Sequence, residues 1–144
     1  MPKIEHANLI VTDIDPTVTF LTAAFPSWHI RGEGNQPYAG MARRWVHLGD
    51  DNFYLALTAY DIDERDKGHQ RDLSSPTPGL AHIGFEVSSL DDVVARLKEA
   101  GFEPDHLGAQ HPHRKNIYYI DGEGLEFEFV EYLSNKQEER NSYV

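Results

Sequence analysis

Gly79-Leu80-Ala81-His82-Ile83-Gly84-Phe85-Glu86-Val87 alternates in the manner of a strand, carries a histidine near its start, and runs into Ser89-Leu90-Asp91-Asp92 and a helix-like stretch. Lys3-Ile4-Glu5-His6-Ala7-Asn8-Leu9-Ile10-Val11 follows the same plan, and leads through Asp13-Ile14-Asp15-Pro16 into another helix-like stretch. His82 minus His6 is 76, and Leu90 minus Ile14 is also 76, so one unit begins twice in register. A repeat of this kind decides the architecture before any other signal is weighed.

Outward from the first start, residues 4–11 alternate. Ile4, His6, Asn8 and Ile10 fall on one strand face, and Glu5, Ala7, Leu9 and Val11 on the other. Asp15 reads as a helix N-cap, Pro16 as the first helical residue, and Val18, Leu21 and Phe25 as the apolar stripe. Strands are expected over 28–34, 43–48 and 53–60, the last two forming a hairpin around Gly49-Asp50-Asp51-Asn52. The second start continues with a Ser89 cap, Asp92 at the third helical position, a stripe of Leu90, Val93, Val94 and Leu97, and a stop at Gly101. Strands are expected over 102–107, 117–120 and 125–132. The hairpins align as 45–57 against 117–129, an offset of 72. The predicted fold is therefore α+β, with two βαβββ modules forming a cupped mixed sheet around a cavity. One domain spans 1–132, with module one at 3–60, a charged linker at 61–78 and module two at 79–132; a polar, mobile C-terminal tail covers 133–144.

The 144 residues suit one such domain. Asp and Glu outnumber Lys and Arg by 24 to 13, and a net charge of -11 repels phosphate backbones, so nucleic acid is not an expected partner. The absence of cysteine excludes disulfides, thiolate nucleophiles and thiolate metal sites. No apolar run has membrane-spanning length and the N-terminus has no signal core. A cytoplasmic protein acting on a small-molecule substrate, without a membrane partner, is expected.

Strand parity selects the chemical residues. With Ala7, Leu9 and Val11 against the helix, His6 and Asn8 face the cavity, and the repeat sends His82 to the equivalent place. Leu125, Phe127 and Phe129 form the helix-side set of the last strand, so Glu126 and Glu128 face the cavity too. Two imidazoles and a carboxylate make a 2-His-1-carboxylate set, which suits a divalent ion and keeps coordination positions open. Glu126 and Glu131 also fit the bland role of a solvated strand face.

These residues, with Tyr118-Tyr119-Ile120-Asp121-Gly122-Glu123-Gly124-Leu125-Glu126-Phe127-Glu128, resemble the vicinal oxygen chelate superfamily of glyoxalase I, extradiol dioxygenases, and fosfomycin- and bleomycin-resistance proteins. The resemblance covers 3–132. It implies one divalent metal ion, iron(II) or manganese first with zinc or nickel as further options, held by His6, His82 and Glu128. It also implies a homodimer. The position of a fourth ligand in glyoxalase I falls on Ala56, which pairs with Glu128 at the offset of 72 and cannot ligate or take a proton. Asn8, Ala56 and Thr58 are the expected substrate-facing residues. His111, Ile117, Tyr118, Asp121, Gly124 and Glu128 match the spacing of the extradiol signature, though Gly122 replaces its proline; His111 and Tyr118 are the implied catalytic pair. Extradiol-type oxidative cleavage is the first expected activity. The alternatives are a glyoxalase-like lyase or isomerase, a fosfomycin-resistance-like transferase using Arg114 and Lys115 as its cationic surround, and a metal-free binding or resistance protein.

Overall fold

The computed structural model describes residues 1–61, 76 and 78–143, so the expected linker lies almost wholly outside the described residues. The chain divides into two compact units, Met1–Gln70 and Arg71–Val144.

The first unit contains β1 (His6–Ile10), α1 (Asp15–Ala24), β2 (His29–Gly34), β3 (Arg43–Gly49) and β4 (Tyr54–Tyr60). Its sheet has the order β1-β4-β3-β2, with β1 parallel to β4 and the other pairs antiparallel. The second unit contains β5 (Ile83–Glu86), α2 (Leu90–Glu99), β6 (His106–Leu107), β7 (Arg114–Ile120) and β8 (Glu126–Tyr132), with a short α3 (Gln137–Arg140) after them. Its order, β5-β8-β7-β6, repeats the first, again with one parallel pair. The βαβββ repeat is thus present in both units.

Each core combines strand residues of one parity with the inner stripe of the helix. Leu9, Val46, Leu48, Leu55 and Leu57 are buried with Phe20, Leu21 and Ala24 in the first unit. Ile117, Tyr119, Phe127 and Phe129 are buried with Leu90, Val93 and Leu97 in the second. Burying such side chains, at about 1.5–3 kcal/mol each, locks the register, because a one-residue slip would turn every one of them outward.

Several local expectations need correction. Asp15 is the first residue of α1, not its cap; Ile14 holds the cap position, and the Asp13 carboxylate accepts the Asp15 N–H at 3.1 Å. The inner stripe is Thr17, Phe20, Leu21 and Ala24. Phe25 drops out of it because its backbone has left the helix (φ -124°, ψ 87°), and its ring packs on Trp28 instead. The strand expected over 102–107 is reduced to two residues, since Pro104 brings no N–H to a ladder. α2 follows expectation: Ser89 Oγ accepts the Asp92 N–H at 3.2 Å, and Gly101 ends the helix at φ +91°.

The hairpin alignment also changes. His47 pairs with Ala56, and Tyr118 pairs with Glu128. The offset is therefore 118 − 47 = 71 before the turn and 128 − 56 = 72 after it. The second turn is one residue longer, so Val46 rather than Trp45 is the counterpart of Ile117; both are buried. The longer turn is built by Asp121, whose carboxylate accepts the N–H groups of Glu123 and Leu125 at 2.9 and 2.8 Å, and by Gly124 at φ +83°.

The C-terminal tail makes specific contacts with the second unit. Arg140 donates to both carboxylate oxygens of Glu86 at 2.9 Å, and its guanidinium lies 3.9 Å from the centre of the Tyr132 ring. Arg114 donates to the carbonyls of Arg140 and Ser142 at 3.2 and 3.1 Å. Among the described residues no helix is long and apolar enough to cross a membrane.

Candidate metal and substrate site

In the second unit, three of the expected residues come together. His82 Nε2 lies 3.0 Å from Glu128 Oε2, and the His82 ring meets that of Tyr118 edge-on at 5.3 Å. Gly84 stands opposite Glu128 in the β5–β8 register, and a Cβ on it would sit 3.5 Å from Glu128 Oε2. That is an ordinary van der Waals distance, so the carboxylate packs directly against β5 without depending on the glycine. Asn116 Nδ2 donates to the other oxygen, Oε1, at 2.6 Å, and so fixes the plane of the carboxylate. Two donors each about 2.1 Å from one ion, at about a right angle, stand about 3.0 Å apart, so the His82–Glu128 pair fits a shared divalent cation.

Tyr118 is clamped from its other side by His106, whose ring stacks on it at 4.3 Å and 8°. Burial is the main cause that pushes the Tyr118 phenol above its ordinary pKa, and the Glu128 charge adds to it. The phenol is therefore a donor at neutral pH.

Glu126 and Glu131 depart from the solvated role. The Glu126 side chain is only 14% exposed and its Oε2 lies 3.8 Å from His82 Nδ1. Together with Asp105 and His106 it offers donor atoms within 4.8 Å of one another. Glu131 accepts the Leu90 N–H at 2.7 Å at the start of α2 and pairs with Lys115 at 3.2 Å. The flanking strand and helix, not the alternation along β8, decide what these carboxylates face. Lys115 and Arg114 are thus engaged with Glu131 and with the C-terminal segment, away from the role of a cationic surround.

His111 sits in a turn before β7. Its Nδ1 accepts the His113 N–H at 3.1 Å, so Nε2 carries the proton and donates to the Ser142 carbonyl at 3.1 Å. It lines a groove of about 780 Å³ beside α2, with Leu90, Val94, Leu107 and Ile117.

In the first unit, Asn8, Ala56 and Thr58 line one cleft of about 310 Å³ with Gln36, Arg43, Trp45 and His47. Thr58 Oγ1 donates to Asn8 Oδ1 at 3.1 Å, and the Ala56 methyl is part of the lining. His6 stacks on Tyr54 at 4.9 Å, Tyr54 stacks on His47 at 4.6 Å, and the Glu5 carboxylate meets His6 Nδ1. Burial, then the neighbouring His6 and Arg31, hold His47 below its ordinary pKa, so its imidazole is neutral at neutral pH. Sequence reading missed Asn116, His106, Gln36, Arg43 and His47. Parity alone marks Asn116, two residues before Tyr118, and Arg43 and His47, two before and two after Trp45; His106 and Gln36 need the tertiary structure.

A family profile described as the Glyoxalase/Bleomycin resistance protein/Dioxygenase superfamily matches residues 3–129. The chain belongs to this superfamily. No curated protein matches. Among solved structures, a glyoxalase family protein from Bacillus cereus is 14% identical with a TM-score of 0.73, covering 93% of this chain and 96% of its own. A glyoxylase/bleomycin resistance protein/dioxygenase domain from Frankia sp. is 19% identical with a TM-score of 0.70, covering 99% of both chains. The fosfomycin resistance protein FosX from Listeria monocytogenes, solved with Mn(II) and sulfate, is 19% identical with a TM-score of 0.60, covering 99% of both chains. At these identities the likeness is one of fold.

Proposed function

We propose that the protein is a divalent-metal-dependent enzyme that chelates vicinal oxygens of a small substrate, with His82 and Glu128 as ligands and His6 as the third. The observation that carries this reading is the 3.0 Å approach of His82 Nε2 to Glu128 Oε2, with Asn116 holding the second carboxylate oxygen. His6 enters through the repeat, as the residue 76 positions before His82. The ion, when bound, supplies Lewis acidity and a template for two adjacent oxygens.

The chain's own residues supply the rest. Asn116 orients the Glu128 carboxylate. Tyr118, kept protonated by burial and by Glu128, donates a hydrogen bond to a substrate oxygen. The His111 ring is engaged at both nitrogens with backbone, so proton handling rests with Tyr118 in this reading. Oxidative extradiol-type cleavage, with dioxygen as co-substrate, stays the first activity to test. A glyoxalase-type proton transfer needs a carboxylate where the first unit has the methyl group of Ala56.

The test is calorimetric titration of chelator-treated protein with Mn(II), Fe(II), Zn(II) and Ni(II), followed by turnover assays on small diols in air. Wild type should bind one ion per chain. His82→Ala and Glu128→Gln should weaken binding at least about 100-fold while keeping the fold. Wild type and His82→Ala binding metal equally would overturn the reading.

A further inference from the structure

The cleft of the first unit is rich in hydrogen-bond donors. The Trp45 indole N–H can only donate, and it donates to Gln36 Oε1 at 2.6 Å. That contact turns the Gln36 amide oxygen toward the indole and leaves both N–H groups of its NH2 to offer. Asn8 Oδ1 is likewise taken by the Thr58 hydroxyl at 3.1 Å, which leaves the Asn8 NH2. Arg43 spends its Nε on the Gln36 carbonyl at 3.1 Å and keeps the two outer nitrogens of its guanidinium. Among the described residues no carboxylate lines the cleft, although the chain as a whole carries a net charge of -11.

The arrangement is built, not incidental. A Cβ on Gly34 would collide with Gln36 Oε1 and with the Trp45 indole, so only glycine lets that pair close. A tight turn follows. Tyr38 and Met41 exchange backbone hydrogen bonds at 3.0 and 2.9 Å, with Ala39 at φ +50° and Gly40 at φ +77°. The turn sets the Tyr38 ring 5.4 Å from the Arg43 guanidinium, while the neighbouring Arg44 pairs with Asp15 at 2.8 Å.

We propose that this cleft binds the oxyanion of a small organic acid, a carboxylate or a phosphonate, through Arg43 and the amides of Gln36 and Asn8, with Trp45 and His47 as its aromatic wall. That the acid is the enzyme's substrate rests on the function proposed above; its binding does not. Acceptor-rich anions satisfy three sets of N–H donors at once, whereas a neutral ligand of the same shape leaves the guanidinium unpaired.

The experiment uses the full chain, freed of metal, in a Trp28→Phe background that makes Trp45 the sole tryptophan of two. Benzoate and phenylphosphonate are titrated against Trp45 emission, with benzyl alcohol as the neutral control. At least one acid should give a saturable change, and the stronger of the two identifies the oxyanion class. Arg43→Gln should weaken binding at least tenfold, Arg43→Lys less, and Gly34→Ala should weaken it by displacing Gln36. Arg44→Gln and His82→Ala should bind as the parent does. Equal binding of benzyl alcohol, unchanged binding by Arg43→Gln, or no saturable change with either acid in the folded protein would overturn the proposal. Because His82 is a proposed metal ligand and is not among the residues that line this cleft, metal binding and anion binding fail separately.

Discussion

A carboxylate that accepts from an amide on one oxygen presents the other in a fixed direction, and Glu128 accepts from Asn116 on Oε1 while its Oε2 lies 3.0 Å from His82 Nε2. Asn116→Ala should weaken Mn(II) binding by about 10–100-fold with little change in fold, as measured by calorimetry and circular dichroism. Unchanged affinity would mean that the amide plays no part in presenting the carboxylate. Tyr118 gives a test with a definite sign. A phenol whose pKa is raised on folding adds stability that is fully present below the ordinary tyrosine value and is lost as pH rises through the raised one. Thermal stability of the wild type should therefore fall more steeply than that of Tyr118→Phe above about pH 10. Parallel slopes would show that the phenol is solvated.

At the scale of the element, α2 is started by two acceptors, Ser89 Oγ on Asp92 N–H and Glu131 Oε2 on Leu90 N–H. Ser89→Ala should cost about 1 kcal/mol in urea unfolding, and the double variant with Glu131→Gln should cost more. A double variant as stable as Ser89→Ala would leave Glu131 without a capping role. Ala39 presents the opposite case, since its φ of +50° is a conformation that a side chain disfavours by about 1–2 kcal/mol. Ala39→Gly should raise the melting temperature, and a lower one would mean that the alanine methyl makes a contact worth more than the backbone cost.

At the scale of the whole molecule, a bound ion adds folding stability. Mn(II) at 100 times its dissociation constant should stabilise the wild type by about 2.7 kcal/mol, and should leave His82→Ala unmoved at the same concentration. The C-terminal segment is the other feature at this scale. Removing residues 135–144 takes away the Arg140–Glu86 pair and the carbonyls that hold Arg114 and His111. Amide exchange at 111–114 should then quicken while exchange in β8 stays slow. Unchanged protection at 111–114 would mean that the turn holds itself.

The repeat was legible because it is written in period. Strands alternate at two residues, α2 carries its cap and stop in plain order, and His6 and His82 recur at one spacing. Parity then assigned Glu128 to the face that His82 meets, and the family resemblance added Tyr118. What sequence could not carry is anything that depends on which strand lies beside which, and in what register. One extra residue in the second turn shifts β7 against β8, and so places Tyr118, not its neighbour, opposite Glu128. Glu126 looked solvated from its own strand, yet β6 brings His106 and Asp105 beside it. Gln36 lies in a loop with no periodic signal, and the parity that Arg43 shares with Trp45 does not show what its guanidinium meets. Their hydrogen bonds to Trp45 and to the chain itself exist only once Gly34 lets the loop close. Period belongs to the single strand and is readable along it; the donor set of a cleft belongs to neighbours brought together by the sheet, and tertiary packing alone decides it.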